Sequence, residues 1–338
     1  MERILTCVVA VSFLFAAACE SDGGNIDGGA TSDSELGDDS DSETSDSLGD
    51  LPDLPSINCE DSGTPGEYVS SEKYRTISAG VEFGCGIQTD DELACWGRTR
   101  WVNNIGDVSG NFSSIDTASE VVCALSSDGE ASCWGRAREG LLEPPNPPDR
   151  QWKMLDVGLQ HGCGIYQDHR VGCWGKDGPA TSRPDEKFND IAVSHFATCA
   201  IKRNDHTIEC WGKEKNGHLR APGGKFAAID GNGDAFCALT YEGKPKCWGN
   251  LAQFSPPSEV EFSDIQASAF ACGHRADGVP TCWPSEKDSE ELTPSGSEER
   301  CFQEWSLGRS YACGIRADGK AECFGKGVTE EDGRLEVP

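Results

Sequence analysis

The sequence predicts an all-β, seven-bladed β-propeller of short repeats, about 35–41 residues each, preceded by a disordered acidic N-terminal linker. Three observations carry that expectation. Cysteines recur in seven pairs, the pairs step along the chain at a nearly constant interval, and the runs between them are short, rich in β-formers and broken by turn residues. The pairs are Cys85/Cys95, Cys123/Cys133, Cys163/Cys173, Cys199/Cys210, Cys237/Cys247, Cys272/Cys282 and Cys313/Cys323, six of them ten residues apart and one eleven. Successive pairs start 38, 40, 36, 38, 35 and 41 residues apart, a period at which propellers and solenoids are found.

Further registers repeat with the cysteines. An aromatic stands eleven residues before the first cysteine at Tyr74, Phe112, Trp152, Phe188, Phe226 and Phe302, with Phe262 one residue closer. Three residues on comes Ile77, Ile115, Leu155, Ile191, Ile229, Ile265 or Trp305. The second cysteine is followed by Trp96, Trp134, Trp174, Trp211, Trp248, Trp283 or Phe324.

Taken from the N-terminus, residues 1–18 read as a signal peptide. The apolar run Ile4–Ala18 is too short for a comfortable membrane span, which wants about 20 residues. Ala16-Ala17-Ala18-Cys19 resembles a bacterial lipoprotein processing box, with Ala16 in place of the usual leucine; ordinary secretory cleavage nearby is the alternative. Residues 19–61 form the expected tether, a lipidated Cys19 followed by a stretch holding fourteen Asp or Glu and no Lys or Arg from 20 to 61. With so little to bury, it cannot offset its ordering entropy, and like charges extend it. A calcium role is disfavoured by the missing ligand-and-glycine pattern. The formal charge of −29 divides into −14 for this stretch and −15 for the remaining body, which repels nucleic acid phosphates.

Residues 62–338 form the expected propeller, with repeats at 74–111, 112–151, 152–187, 188–225, 226–261, 262–301 and 302–338. The second repeat shows the pattern in full. Phe112 to Ala118, Glu120 to Ser126 and Glu130 to Trp134 read as strands, and Gly140-Leu141-Leu142 begins a connection or a fourth edge strand. A three-residue loop of Ser127, Asp128 and Gly129, with the glycine left-handed, sets Ser126 opposite Glu130. Continuing that ladder brings Cys123 opposite Cys133 at a non-hydrogen-bonded site, where Cα atoms approach to about 4.5 Å and a disulfide can close. Zinc is a poor competitor, because zinc sites bring cysteines two to four residues apart. Neither metal nor cofactor is expected.

Setting aside Cys7 and Cys19, two cysteines remain, Cys59 before the first repeat and Cys301 beside the last aromatic. If the repeats close into a ring these become neighbours, so a Cys59–Cys301 clasp is expected across the seam. The last repeat ends in full form rather than in a polar cap, which favours a ring over an open solenoid. Residues Glu67 to Ser71 are candidates for an edge strand added at that seam.

The runs Ile77-Ser78-Ala79-Gly80 to Cys95-Trp96-Gly97 and Leu155-Asp156-Val157-Gly158 to Cys173-Trp174-Gly175 resemble repeats of the regulator of chromosome condensation family. The short-repeat bacterial version, with its seven-bladed secreted inhibitor of β-lactamases, looks most similar over about residues 70–338. Cys282-Trp283-Pro284, the acidic insertion Ser285 to Arg300 and Phe324 depart from the pattern. The resemblance implies a binding scaffold and not an activity; nucleotide exchange and chromatin binding suit an acidic exported chain poorly.

No nucleophile elbow, phosphate loop or His-Glu-x-x-His string is present. Among the histidines, His161 and His195 read as packing residues and His169 and His206 as solvated turn residues. The candidate binding residues are Trp101, which lies outside the repeated aromatic positions, Arg98 and Arg100 beside it in the first connecting loop, and the non-repeating Phe254, with packing at the ring seam the competing role for Trp101. The expected function is a monomeric, non-enzymatic scaffold, exported and tethered at a bacterial outer membrane or cell surface by its lipid alone, or otherwise periplasmic or secreted. It recognises an extracytoplasmic protein or glycan through propeller loops. A purely structural envelope protein and an extracellular hydrolase or lyase are the alternatives.

Overall fold

The computed structural model describes residues 51–57, 59, 69–97, 105, 108, 110–136, 140–176, 184–233, 235–250, 256–257, 259–268, 270–283, 301–309, 311–325 and 337–338. The predicted signal peptide, Cys19, most of the acidic stretch and the insertion Ser285 to Arg300 lie outside them.

The described strands come in threes, each trio an antiparallel meander, here called a unit. The chain begins with β1 (Val69–Ala79), β2 (Phe83–Gln88) and β3 (Leu93–Gly97), then β4 (Phe112–Ala118), β5 (Val121–Ser126) and β6 (Ala131–Gly135). There follow β7 (Trp152–Val157), β8 (His161–Tyr166) and β9 (Val171–Gly175), and β10 (Phe188–Val193), β11 (Ala197–Lys202) and β12 (Ile208–Gly212). Next come β13 (Phe226–Asn232), β14 (Ala235–Thr240) and β15 (Pro245–Gly249), and β16 (Phe262–Ala267), β17 (Ala271–Arg275) and β18 (Pro280–Trp283). The last trio is β19 (Glu304–Leu307), β20 (Tyr311–Ile315) and β21 (Lys320–Gly325).

Among the described residues these make six hydrogen-bonded sheets, where the repeat count led us to expect seven blades. The reason is β1. Its second half pairs with β2, from Tyr74 opposite Gln88 to Ala79 opposite Gly84, while its first half pairs with β21 through Val69 opposite Glu322 and Lys73 opposite Lys320. One long strand thus fuses two trios into a six-stranded sheet ordered β19-β20-β21-β1-β2-β3. Where the first half of β1 lies on β21, Arg316 and Glu322 form a buried ion pair at 2.7 Å. Gly140-Leu141-Leu142 is a turn and not a fourth strand; Leu141 is buried and its carbonyl accepts the indole N–H of Trp174.

The first strand of most units carries a bulge directly after its aromatic, as between Phe112 and Ser114. Because Phe112 pairs with Ser126 and Ser114 with Leu125, the extra residue inverts the alternation. Phe112, Ile115 and Thr117 therefore share one face, and Ser114 and Asp116 the other. The aromatic packs on the tryptophan of its own unit, edge-on for Phe112 with Trp134 at 5.6 Å and for Tyr74 with Trp96 at 5.9 Å.

Second and third strands are cross-linked at their middles. Cys123 faces Cys133 in the ladder with Cα atoms 4.1 Å apart, and the same pairing recurs as Cys85–Cys95, Cys163–Cys173, Cys199–Cys210, Cys237–Cys247, Cys272–Cys282 and Cys313–Cys323. Gly129 stands in the left-handed region at φ 78° in the hairpin turn, beneath which Ser126 and Glu130 are bonded. An eighth bridge joins Cys59 to Cys301 over 242 residues.

Each first strand packs against the next, β1 on β4, β4 on β7, β7 on β10, β10 on β13, β13 on β16 and β16 on β19, and β19 returns to β1. The arrangement is propeller-like and closes on itself.

Candidate functional site

The faces of the first strands that carry Ser114 and Asp116 and their equivalents look inward, and they hold most of the molecule's buried acid. Asp116, Asp156 and Asp230 stand four residues after their aromatic, and Asp190, Asp264 and Glu304 stand two after theirs. Five of these six reach across to the neighbouring unit. Asp116 accepts the backbone N–H of Val157 at 2.7 Å, Asp156 that of Val193 at 2.9 Å, Asp190 that of Ile229 at 3.0 Å, Asp230 that of Ala267 at 2.6 Å and Glu304 that of Ile77 at 3.0 Å. The neutral partners Gln266 to Leu307, Ser306 to Ala79 and Ser78 to Thr117 complete the circuit. Every junction between first strands thus carries a side-chain bond.

Burial raises the pKa of each of these acids, because a charge so placed is poorly solvated. Asp190 is pushed to about 8 against the opposing pull of the Ile229 and Ile191 N–H groups, Glu304 to about 8, Asp230 to about 7 and Asp264 to about 6. Asp116 and Asp156 are raised as well, Asp156 also by the charge of Asp116. Only Asp190, 2% exposed, is sealed from solvent; the other five are half-buried, which tempers the cost of their charge. Among the described residues no three His, Cys, Asp or Glu side chains are grouped to hold a metal ion. The circuit's chemistry is that of a fastening.

The histidines divide differently from the expectation. His161 is buried against Thr198, with Nε2 and Oγ1 2.9 Å apart, and burial lowers its pKa to about 4. His195 is half-buried in a turn. His169 takes a turn conformation and contacts Arg203. His206 departs from the solvated role expected of it, being 5% exposed and bonded through Nδ1 to the hydroxyl of Tyr241. A turn position does not keep a ring in water when the next unit's Tyr241 lies over it.

A cavity of about 400 Å³ opens beside β9 and is lined by Pro145, Pro147, Asp149, Arg150, Tyr166, Gly172 and Cys173. The Arg150 guanidinium lies 5.6 Å from the centre of the Tyr166 ring, which stacks on Trp152 at 3.9 Å. The loop that forms its rim is anchored by Asn146, whose side-chain amide bonds both the N–H and the carbonyl of Ala131 on the edge of β6 at 2.9 Å. Arg98, Arg100, Trp101 and Phe254, the predicted binding residues, lie outside the described residues.

Sequence reasoning passed over a second set. The residue after the Gly that ends the third strand is a cation at Arg136, Lys176 and Lys213, and each donates its backbone N–H to the turn between first and second strands of its own unit, at Glu120, Gln160 and Phe196. The signal was a basic residue repeating directly after Cys-Trp-Gly.

No family model matches the chain. Among solved structures, the ectodomain of the receptor kinase CR4 from Physcomitrella patens is 22% identical, aligned over 76% of this chain and 75% of its own, with a TM-score of 0.64. The CRINKLY WD40 ectodomain of the receptor kinase ACR4 from Arabidopsis thaliana is 22% identical over 76% of this chain and 99% of its own, with a TM-score of 0.61. Prp20p from Saccharomyces cerevisiae aligns at 14% identity over 78% of this chain and 75% of its own, with a TM-score of 0.47. The first two establish the β-propeller fold.

They also correct the expected location. The matched structures are plant receptor-kinase ectodomains, not bacterial outer-membrane or secreted lipoproteins, and the bacterial, lipid-anchored and envelope readings are withdrawn. Paired cysteines indicate an oxidising compartment without distinguishing a bacterial envelope from any other, and the processing box at Cys19 lies outside the described residues. No helix of the described residues is long and apolar enough to cross a membrane.

Proposed function

We propose that residues 62–338 form a seven-bladed propeller that serves as a non-enzymatic scaffold, binding a protein partner through its turns and loops. On this reading the six-stranded sheet counts as two blades that share β1. One observation carries the proposal: the inward acids are engaged by the N–H groups of neighbouring units, which supports a fastening role for the interior and leaves recognition to the ends. Propellers of this type commonly act as interaction scaffolds, and that general habit supports the reading without naming a partner.

The test is affinity capture with the immobilised, disulfide-intact full chain in extracts of the source organism, followed by reconstitution of the purified candidate. A partner that binds saturably and at fixed stoichiometry is expected. Failure of every candidate to bind in purified form would leave an architectural role instead.

A further inference from the structure

Resting on that scaffold reading, we propose that the end formed by the first turns of β4–β6, β7–β9 and β10–β12 docks an acidic polypeptide segment that presents an apolar side chain. Three consecutive units place exposed cations at one level, because the backbone N–H groups of Arg136, Lys176 and Lys213 are fixed to their turns at 2.9, 2.9 and 2.8 Å. Lys215 adds a fourth. Its ammonium lies 4.6 Å from the centre of the Phe196 ring and that of Lys213 lies 5.8 Å away, so an aromatic surface and two cations share one turn.

Leu159 lies in the adjoining turn and is 41% exposed, the one exposed large hydrophobic among the described residues. The two turns are in contact, since a β-carbon at Gly158 would come within 2.5 Å of the Ser194 carbonyl oxygen. A solitary exposed leucine needs no explanation. One set between Lys176 and the Phe196–Lys213–Lys215 group gives a partner both an apolar anchor and a charge frame.

Among the described residues the acids on this arc are Glu120 and Glu214, while Glu139 and Asp177, close in sequence to Arg136 and Lys176, lie outside the described residues. Glu120 is 3.9 Å from Arg136, and Glu214 accepts the N–H groups of Gly217 and Leu219 within its own loop. At the opposite end every hairpin turn carries an acid, Asp90 and Asp91, Asp128, Asp168, Asp205, Glu242, Asp277 and Asp318, and several of these are paired with arginines, Arg75 with Asp91, Arg150 with Asp168 and Arg275 with Asp277. At physiological salt the Debye length is about 8 Å, so a short segment lying on the arc responds to the local cations more than to the net charge. A long nucleic acid would extend beyond the arc and meet the surrounding acid.

The experiment uses the full chain with labelled short peptides in fluorescence anisotropy: one of glutamates flanking a central Leu-Phe, one with lysines in place of the glutamates, and a single-stranded DNA oligonucleotide. We expect saturable binding of the first peptide alone, weakened by added salt. The triple variant R136E/K176E/K213E should weaken it about tenfold or more, as removal of several charge contacts predicts, and Leu159→Asp should weaken it too. K187E/K225E/K244E makes the same charge change at other positions and should have much less effect, with thermal melts confirming that each variant folds. Equal binding of the lysine peptide or the oligonucleotide overturns the proposal, as does an unaffected triple variant. Should R136E/K176E/K213E retain the captured protein partner fully, the docking face is wrong and the scaffold survives; if neither partner nor peptide binds, both fall.

Discussion

Gly162 lies directly opposite Trp174 in the ladder between β8 and β9, and a β-carbon placed there would stand 2.4 Å from the indole. That indole is held from its other side by the Leu141 carbonyl at 2.9 Å, so it has little room to retreat. Gly162→Ala should therefore destabilise the protein by about 1–3 kcal/mol, the range for adding volume to a packed site. A urea-denaturation midpoint equal to that of the parent chain would count against this account of the packing. The tryptophan itself was legible in the sequence, because it recurs after nearly every second cysteine. Its counterpart was not. The residue opposite is Gly84, Val122, Gly162, Thr198, Phe236, Ala271 or Ala312, and a position whose size varies with its local neighbours leaves no periodic mark. The inward acids were hidden for a related reason. Asp190 and Asp116 stand two and four residues after their aromatics, and the bulge after each aromatic turns both onto the face opposite the aromatic, where plain alternation would have put them on its own face.

At the scale of strands and their cross-links, sequence separation ranks the disulfides. The hairpin bridge Cys123–Cys133 closes ten residues and is worth about 2.7 kcal/mol by loop entropy, whereas Cys59–Cys301 closes 242 and is worth about 5 kcal/mol. The double variant C59S/C301S should therefore melt at a lower temperature than C123S/C133S, both compared with the parent chain by calorimetry at one scan rate. The reverse order would show that β1, pairing on β21 across the same seam, already closes the ring without the clasp. Hairpin pairing could be read from the sequence because an Asp-Gly turn midway between two cysteines fixes register. Closure was legible in the leftover cysteines, in the full form of the last repeat and in Glu67 to Ser71 as a candidate edge strand at the seam, where Val69 and Lys73 pair with β21. That this segment would run on into the first strand of its own unit as one strand of eleven residues, fusing two trios, was not, since nothing in Val69 to Lys73 marks where an edge strand ends and the next begins. The cation at Arg136, Lys176 and Lys213 was also missed, because positions one repeat apart in sequence form no linear basic stripe.

For the molecule as a whole, the circuit of acids ties stability to pH. Asp190 and Glu304 have folded-state pKa values of about 8, well above the unfolded values near 4, so the native state binds more protons between those limits. Their contribution is complete below about pH 4 and is lost as pH rises through about 8, the reverse of a carboxylate held in a salt bridge. His161 and His274 act oppositely. Both are buried with pKa values of about 4, below the ordinary 6.5, so their contribution is complete above pH 6.5 and is lost as pH falls toward 4. The acids are thus separated from the histidines above pH 6.5. A group with a folded pKa near 8 gains about 2 kcal/mol between pH 8.5 and 6.5, which for a chain of this size should raise Tm by about 3 °C or more. Acidification also eases the self-repulsion of a chain carrying −29, which would act with the same sign. The double variant D190N/E304Q separates the two causes, since it removes two titrating groups while keeping a carbonyl oxygen for the Ile229 and Ile77 N–H groups. Differential scanning calorimetry of both proteins over that window should show a rising Tm for the parent and a clearly flatter one for the variant. Parallel slopes would assign the effect to net charge, and a parent Tm that is level or falls on acidification would remove the acid circuit as the source of the coupling.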